Sequence, residues 1–311
     1  MNNLTLRVLT ALVAIPIIIL ICMVGGIWFF AFVAIVSAVA LSEFYALARR
    51  KGAKPMVVPG IIAGAMIDLS FYHAPLRTAI AGLFQSYGIA IPFPSQEQLL
   101  LIVIVSSVVV LSLVELFRND GSALLNLSTT VFGLFYVSLF FGTFVGLREL
   151  FTVQDPAVAG YFLTKLGASD AAQVYRAGGL TVISVFAMIW ICDSAAFHVG
   201  SAMGRHKLLP RVSPKKSWEG AIAGFVLAIG SGVAAKYLVL DYLSVGSAAA
   251  IGAIVGTIGQ LGDLTESLLK RDADVKDSSN LIPGHGGAFD RFDSLLLVSP
   301  LVYLYIDFIV F

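Results

Sequence analysis

The sequence predicts an all-α polytopic membrane protein of about nine transmembrane helices, with the N-terminus cytoplasmic and the C-terminus outside. Hydrophobic residues make up 58% of the 311 and charged residues only 13%, about half the ~25% usual in soluble domains. Apolar runs of about 20 residues, the length a helix needs to cross ~30 Å of hydrocarbon, recur along the chain. When successive loops are assigned to alternate sides, 15 of the 20 basic residues fall on one side. Short basic loops stay in the cytoplasm, which orients the chain.

The nine runs lie at about 7–24, 26–48, 56–72, 98–117, 124–147, 179–198, 218–239, 245–262 and 294–311. The first follows Arg7 and resembles a cleaved leader, but its apolar core is longer than the ~7–15 residues of a signal peptide and no small-x-small cleavage site closes it. A retained helix is the favoured reading. The second run ends in Arg49, Arg50, Lys51 and Lys54, a basic anchor for lipid headgroups. Segments 73–97 and 149–178 are too polar to span and are assigned outside, the second with room for a short surface helix. Gly60/Gly64, Gly142/Gly146, Gly220/Gly224 and Gly252/Gly256 form G-x-x-x-G pairs, which let helices approach closely and are read as packing within one subunit. Cys22 and Cys192 lie inside apolar runs and are expected to act as small hydrophobes. No internal repeat divides the chain. Residues 1–175 form an N-terminal transmembrane region with outer loops, and 176–311 a C-terminal catalytic region of the same integral unit.

The charge is concentrated late. Lys270 to Ser294, KRDADVKDSSNLIPGHGGAFDRFDS, holds five of the 19 carboxylates and four of the basic residues, on the cytoplasmic side. If the eighth helix continues past Gly262, Asp263, Glu266, Ser267 and Lys270 share one helical face. A carboxylate ending an apolar helix is costly unless paired or coordinated. Asp263 and Asp290, brought together across the loop, could hold a hard divalent cation through oxygen; a solvated loop with surface ion pairs is the alternative. Pro283, Gly284, Gly286 and Gly287 permit a tight turn with N–H groups turned to an anion. Lys270, Arg271, Lys276 and Arg291 are interleaved with the acids, as a polyphosphate shared between a metal and cationic side chains requires. His285 is either a direct participant or a hydrogen-bonded structural residue. Upstream, Ser213, Lys215, Lys216 and Ser217 in SPKKS present two ammonium groups and two hydroxyls just before a helix N-terminus, or else anchor the chain to headgroups. Asp193 in WICDSAAFHVG is a third candidate metal acid.

These residues carry a resemblance. Ser267, Lys270, Arg271, Lys276, Asp277, Ser279, Ile282, Pro283, His285, Gly286, Gly287, Asp290, Arg291 and Asp293 resemble, in type and spacing, the C-terminal signature of the phosphatidate cytidylyltransferases. Asp193, Gly204-Arg205 and Ser213–Gly220 extend the likeness, while the first 175 or so residues match only in being hydrophobic. Ala288 departs, standing where the family usually has a larger apolar residue. The resemblance implies the reaction of CTP with phosphatidic acid to give CDP-diacylglycerol and pyrophosphate, in an integral protein of the bacterial inner membrane whose site faces the cytoplasm. It implies Mg²⁺, a second cation beside it, a homodimer, and metal ligation by Asp263 and Asp290, with Asp193 added here. Catalytic roles are expected of Lys270, Arg271, Lys276, Asp277, His285, Arg291 and Asp293. Substrate binding is expected of Ser213, Lys215, Lys216, Ser217, Gly286 and Gly287. Nucleic acid is not an expected partner. A secondary transporter with a cation site at the cytoplasmic ends of its helices is the alternative, disfavoured because no repeated halves are visible.

Overall fold

Each of the nine apolar runs becomes a helix in the computed structural model, which describes residues 3–88, 92–167, 170–281 and 286–311, with side chains from Leu12 onward. In chain order the helices are α1 (Asn3–Val24), α2 (Gly26–Arg50), α3 (Val57–Phe71), α4 (His73–Gln85), α5 (Gln96–Leu116), α6 (Ala123–Gly133), α7 (Phe140–Glu149), α8 (Pro156–Leu166), α9 (Ala171–Met203), α10 (Trp218–Leu238), α11 (Val245–Ile254), α12 (Gln260–Asp272), α13 (Ala288–Arg291) and α14 (Asp293–Tyr305). π-Helical turns at Leu134–Leu139 and Val255–Gly259 join α6 to α7 and α11 to α12, so each pair is one long helix. Among the described residues seven helices, these pairs counted once, are long and apolar enough to cross a bilayer. The pair α3 and α4, bent by 88°, makes a possible eighth. The chain is a polytopic helical membrane protein.

Loop contacts define two ends of the bundle. At one, Lys51 after α2 pairs with Asp272 at the end of α12 (3.5 Å), and Lys54 pairs with Asp120 between α5 and α6. At the other, the fully buried Arg148 of α7 donates to the α1 carbonyls of Cys22 (2.7 Å) and Met23 (3.2 Å). Those carbonyls belong to the last turn of α1 and have no partner within the helix, so the guanidinium caps it. Tyr175 covers the guanidinium face at 4.0 Å.

Segment 149–178 forms the short helix its sequence suggested: Asp155 caps α8 through the N–H of Ala157 (2.8 Å), Pro156 opens it, and Gly167 closes it in the left-handed conformation. Segment 73–97, read as an outer loop, also contains a helix. α4 turns away from α3 instead of extending it, with Leu76 and Ile80 half-buried on one face and Arg77 and Thr78 exposed. A hairpin of β1 (Lys207–Leu209) and β2 (Ser213–Ser217) departs from the all-helical expectation. Pro210 and Pro214 forbid helix there, and extended backbone pairs across the turn.

All four G-x-x-x-G pairs pack inside the chain. A Cβ on Gly220 would lie 2.5 Å from the Ala196 carbonyl of α9, and one on Gly252 would lie 2.6 Å from the Ala228 carbonyl of α10. Gly60 and Gly64 meet Tyr45 and Ser138, and Gly142 and Gly146 meet Phe71. With no hydrophobic effect between helices in lipid, this backbone approach supplies the contact area.

Candidate active site

Three close crossings assemble the charged residues at the end of the bundle marked by Lys51 and Asp272. Gly220 and Gly224 lay α10 against α9 between Cys192 and Gly200, which brings the hairpin preceding α10 alongside Asp193. Gly262 lets α12 cross the start of α14, where a Cβ would lie 2.6 Å from the Asp293 carbonyl; Asp263 and Asp293 therefore meet. Gln260 ties α12 to α10 by donating to the Ala221 carbonyl at 3.0 Å. The expected extension of the eighth helix is present, since α12 runs to Asp272.

A cavity of about 560 Å³ opens between these elements. Asp193, Asp263, Asp290 and Asp293 line it with Lys215, Lys216, Lys270 and Arg291, four carboxylates and four cations, and Ile189, Trp190, Ala196, Phe197, Leu208 and Ala221 form its apolar flank. Trp190 and Phe197, both on α9, are exposed. Lys216 Nζ stands 2.7 Å from Asp263 Oδ2, and the Ser267 hydroxyl reaches Asp263 Oδ1 at 3.4 Å. Asp293 Oδ1 accepts the N–H of Ser294 at 2.6 Å.

Asp290 is more tightly held. Lys270 Nζ donates to its Oδ1 at 2.6 Å, and its Oδ2 accepts from the Gly287 N–H (2.8 Å), the Ser278 N–H (2.9 Å) and the Ser278 hydroxyl (2.8 Å). Burial would push its carboxyl up, but contact with Glu266 and the bonds from Lys270, Gly287 and Ser278 outweigh burial and hold it well below the usual carboxylate range. Lys270 Nζ also lies 2.8 Å from Glu266 Oε2, one helical turn back, without hydrogen-bond alignment. Both Glu266 oxygens are buried without a hydrogen-bond donor among the described residues.

The glycines at 286 and 287 are steric requirements of this turn. Gly286 has φ +86°, and a Cβ on Gly287 would collide with the Ser278 hydroxyl and the Glu43 carboxylate. Ala288, the departure from the family pattern, is buried and donates its N–H to Glu43 Oε1 at 3.2 Å. Phe289 anchors α13, its ring centroid 6.2 Å from Phe44 and 6.1 Å from Tyr136.

Of the residues expected from sequence, Asp193, Lys215, Lys216, Ser217, Asp263, Lys270, Asp290, Arg291 and Asp293 share the cavity. Ser217 also caps α10 through the Gly220 N–H at 3.2 Å. Gly286 and Gly287 shape the turn behind it. Arg271 is exposed and donates to the Val275 carbonyl of its own loop at 2.9 Å. Lys276 and Asp277 are exposed in that loop, and Ser213 opens β2; none of these four lines the cavity. Ile282, Pro283 and His285 lie outside the described residues. The sequence reading passed over Glu43, Ser278, Trp190 and Phe197. Glu43 had a signal: it is an acid within an apolar helix, and such acids are functional suspects by default.

No three His, Cys, Asp or Glu side chains among the described residues are spaced as a ready metal site. The donors nevertheless fit Mg²⁺, which is commonly held by one or two carboxylates with water and substrate phosphates completing its shell. Asp193, Asp263 and Asp290 all line the cavity, and Asp290 Oδ1 has Lys270 as its one donor.

The chain is 32% identical over 305 residues to a phosphatidate cytidylyltransferase of Synechocystis, covering 97% of this chain and 96% of that one. It is 31% identical over 303 residues to the Bacillus subtilis phosphatidate cytidylyltransferase, covering 96% and 95%. It is 34% identical over 294 residues to the chloroplastic phosphatidate cytidylyltransferase 5 of Arabidopsis thaliana, covering 91% and 68%. The model of the cytidylyltransferase family matches residues 5–309, a span that runs from α1 past α14, and the chain is a member of that family.

Proposed function

We propose that this protein transfers the cytidylyl group of CTP to phosphatidic acid, releasing CDP-diacylglycerol and pyrophosphate. One observation carries the reading: a single cavity joins four carboxylates and four cations to an apolar flank whose Trp190 and Phe197 are exposed, in a chain whose near-full-length relatives are named for this reaction. A lipid phosphate oxygen attacks the α-phosphorus of CTP, the bond to the β-phosphate oxygen breaks, and pyrophosphate leaves with its electron pair. The lipid phosphate is largely dianionic near neutral pH, its second pKa being about 6, so no general base is needed. The obstacle is repulsion between two anions, which positioning and positive charge relieve.

Lys215 and Lys216, beside the membrane flank, draw in the lipid headgroup, and Lys270 and Arg291 face the triphosphate. Asp263, Asp290 and Asp193 would hold Mg²⁺, which when bound supplies further neutralisation of the phosphate oxygens. Asp290 aims the Lys270 ammonium. Trp190 and Phe197 border the path of the acyl chains.

The same reading sets nine spans with the N-terminus in the cytoplasm, the C-terminus outside, the cavity toward cytosolic CTP and the protein in the bacterial inner membrane; the one-sided placement of basic loop residues supports it. It also includes a second cation and a homodimer, both implied by the family. Light scattering of the detergent-solubilised protein checks the dimer. Purified protein incubated with labelled CTP, phosphatidic acid and Mg²⁺ should form a CDP-lipid and pyrophosphate in equal amounts. No labelled lipid across a range of detergents and lipids would overturn the reaction.

A further inference from the structure

We infer that Glu43 is a positioning residue which fixes, from the N-terminal half of the chain, the turn that carries Asp290. Glu43 sits two turns before the end of α2, is only 5% exposed, and does not line the cavity. Its carboxylate is met by four donors of the signature segment, three of them its own and one, the Ser278 hydroxyl, shared with Asp290. Oε1 takes the Ser279 hydroxyl (2.6 Å) and the Ala288 N–H (3.2 Å), and Oε2 takes the Ser278 hydroxyl (2.9 Å) and the Phe289 N–H (2.8 Å). The Ser278 hydroxyl also lies 2.8 Å from Asp290 Oδ2. One proton thus bridges the clamp and the site acid, so movement of Glu43 is felt at Asp290 through one side chain.

A buried carboxylate survives only where donors satisfy it, and here those donors are Ser278 and Ser279 and the N-terminus of α13, 235 to 246 residues away in sequence. Without Glu43, the N–H groups of Ala288 and Phe289 would be buried and unpaired. The residue neither touches the cavity nor completes a catalytic set, so it acts through Ser278 and the α13 backbone.

The test rests on the cytidylyltransferase reading for its kinetics and on labelling for its independence. Glu43→Gln keeps the volume. Each carboxylate oxygen accepts one backbone N–H, so either orientation of the amide sets an NH₂ against a donor that cannot turn. We expect kcat to fall about 10- to 100-fold, as loss of a charge-assisted contact allows, while KM for phosphatidic acid stays within about twofold. In an Ala288→Cys background the buried thiol should react with a maleimide at least about fivefold faster when Glu43→Gln is added, because the segment opens locally; the native cysteines are buried in the bundle. A kcat within twofold of the parent, an unchanged labelling rate, or a loss confined to KM for phosphatidic acid overturns the inference. Should Glu43→Gln fail to accumulate, Ser279→Ala removes one donor and leaves α2 intact; it should lower kcat about threefold or more and speed labelling, and parent-like values in both sink the idea. If the parent makes no CDP-lipid, labelling alone decides the role of Glu43, and the two failures remain distinct.

Discussion

Asp290 and Asp263 divide the work of the site at the level of single residues. Asp290 is held by three donors on Oδ2 and by Lys270 on Oδ1, the oxygen it would share with a metal, whereas Asp263 meets Lys216 and one weak hydroxyl contact. Asp263→Asn should therefore lower turnover by roughly 10²- to 10³-fold, the range for losing one electrostatic contributor, with the amount of folded protein in the membrane unchanged. Asp290→Asn should lose activity similarly but also lose stability, because Lys270 then faces Glu266 alone; turnover and thermal midpoints of both variants separate the effects. Since the folded-state ionisation of Asp290 is depressed, its stabilisation is fully present above the unfolded carboxylate value of about 3.9 and is lost as pH falls through that value toward the folded one. The thermal midpoint should drop on acidification through that window, and by less in Asp290→Asn. The signature acids could be read from sequence because their chemistry is local in the chain. Arg271 could not be excluded in the same way: it adjoins Lys270, but one residue along α12 rotates it to the outer face and onto Val275. Glu43 escaped because its partners are more than 230 residues distant.

Among the elements, the helices were legible almost end to end, since 20-residue apolar runs have few alternatives in a bilayer. The π turns, the 88° break after α3 and the β1–β2 hairpin were not. Each depends on which neighbour a helix meets, and hydropathy carries no record of neighbours. The glycine pairs carried part of that record. Gly220 and Gly252 set α9, α10 and α11 at backbone distance, and the hairpin with Lys215 and Lys216 takes its position from α10. Gly220→Val or Gly252→Val should cost about 1–3 kcal/mol or more through overpacking, and Gly220→Val should displace Lys216 from Asp263 as well. Gly230, on the same helix with open space beside it, makes the contrast: Gly230→Ala should leave activity alone and add up to about 1 kcal/mol of helix propensity. Thermal midpoints of the three variants in one detergent measure the difference.

On the scale of the whole molecule, the bundle places one charged end opposite one capped by Arg148. A cysteine placed within residues 276–280 should stay shielded from an impermeant thiol reagent in intact cells, and one placed at Asp155 should react. The reverse pattern would put the cavity on the side that has no CTP. The flank formed by Trp190 and Phe197 has a kinetic corollary. A substrate that arrives sideways, already embedded in the leaflet, is counted per unit area, so the velocity tracks its mole fraction among neighbouring amphiphiles and not its amount per litre. Diluting phosphatidic acid with inert detergent at constant bulk amount would slow the reaction, whereas diluting the whole suspension with buffer would leave the lipid dependence where it was.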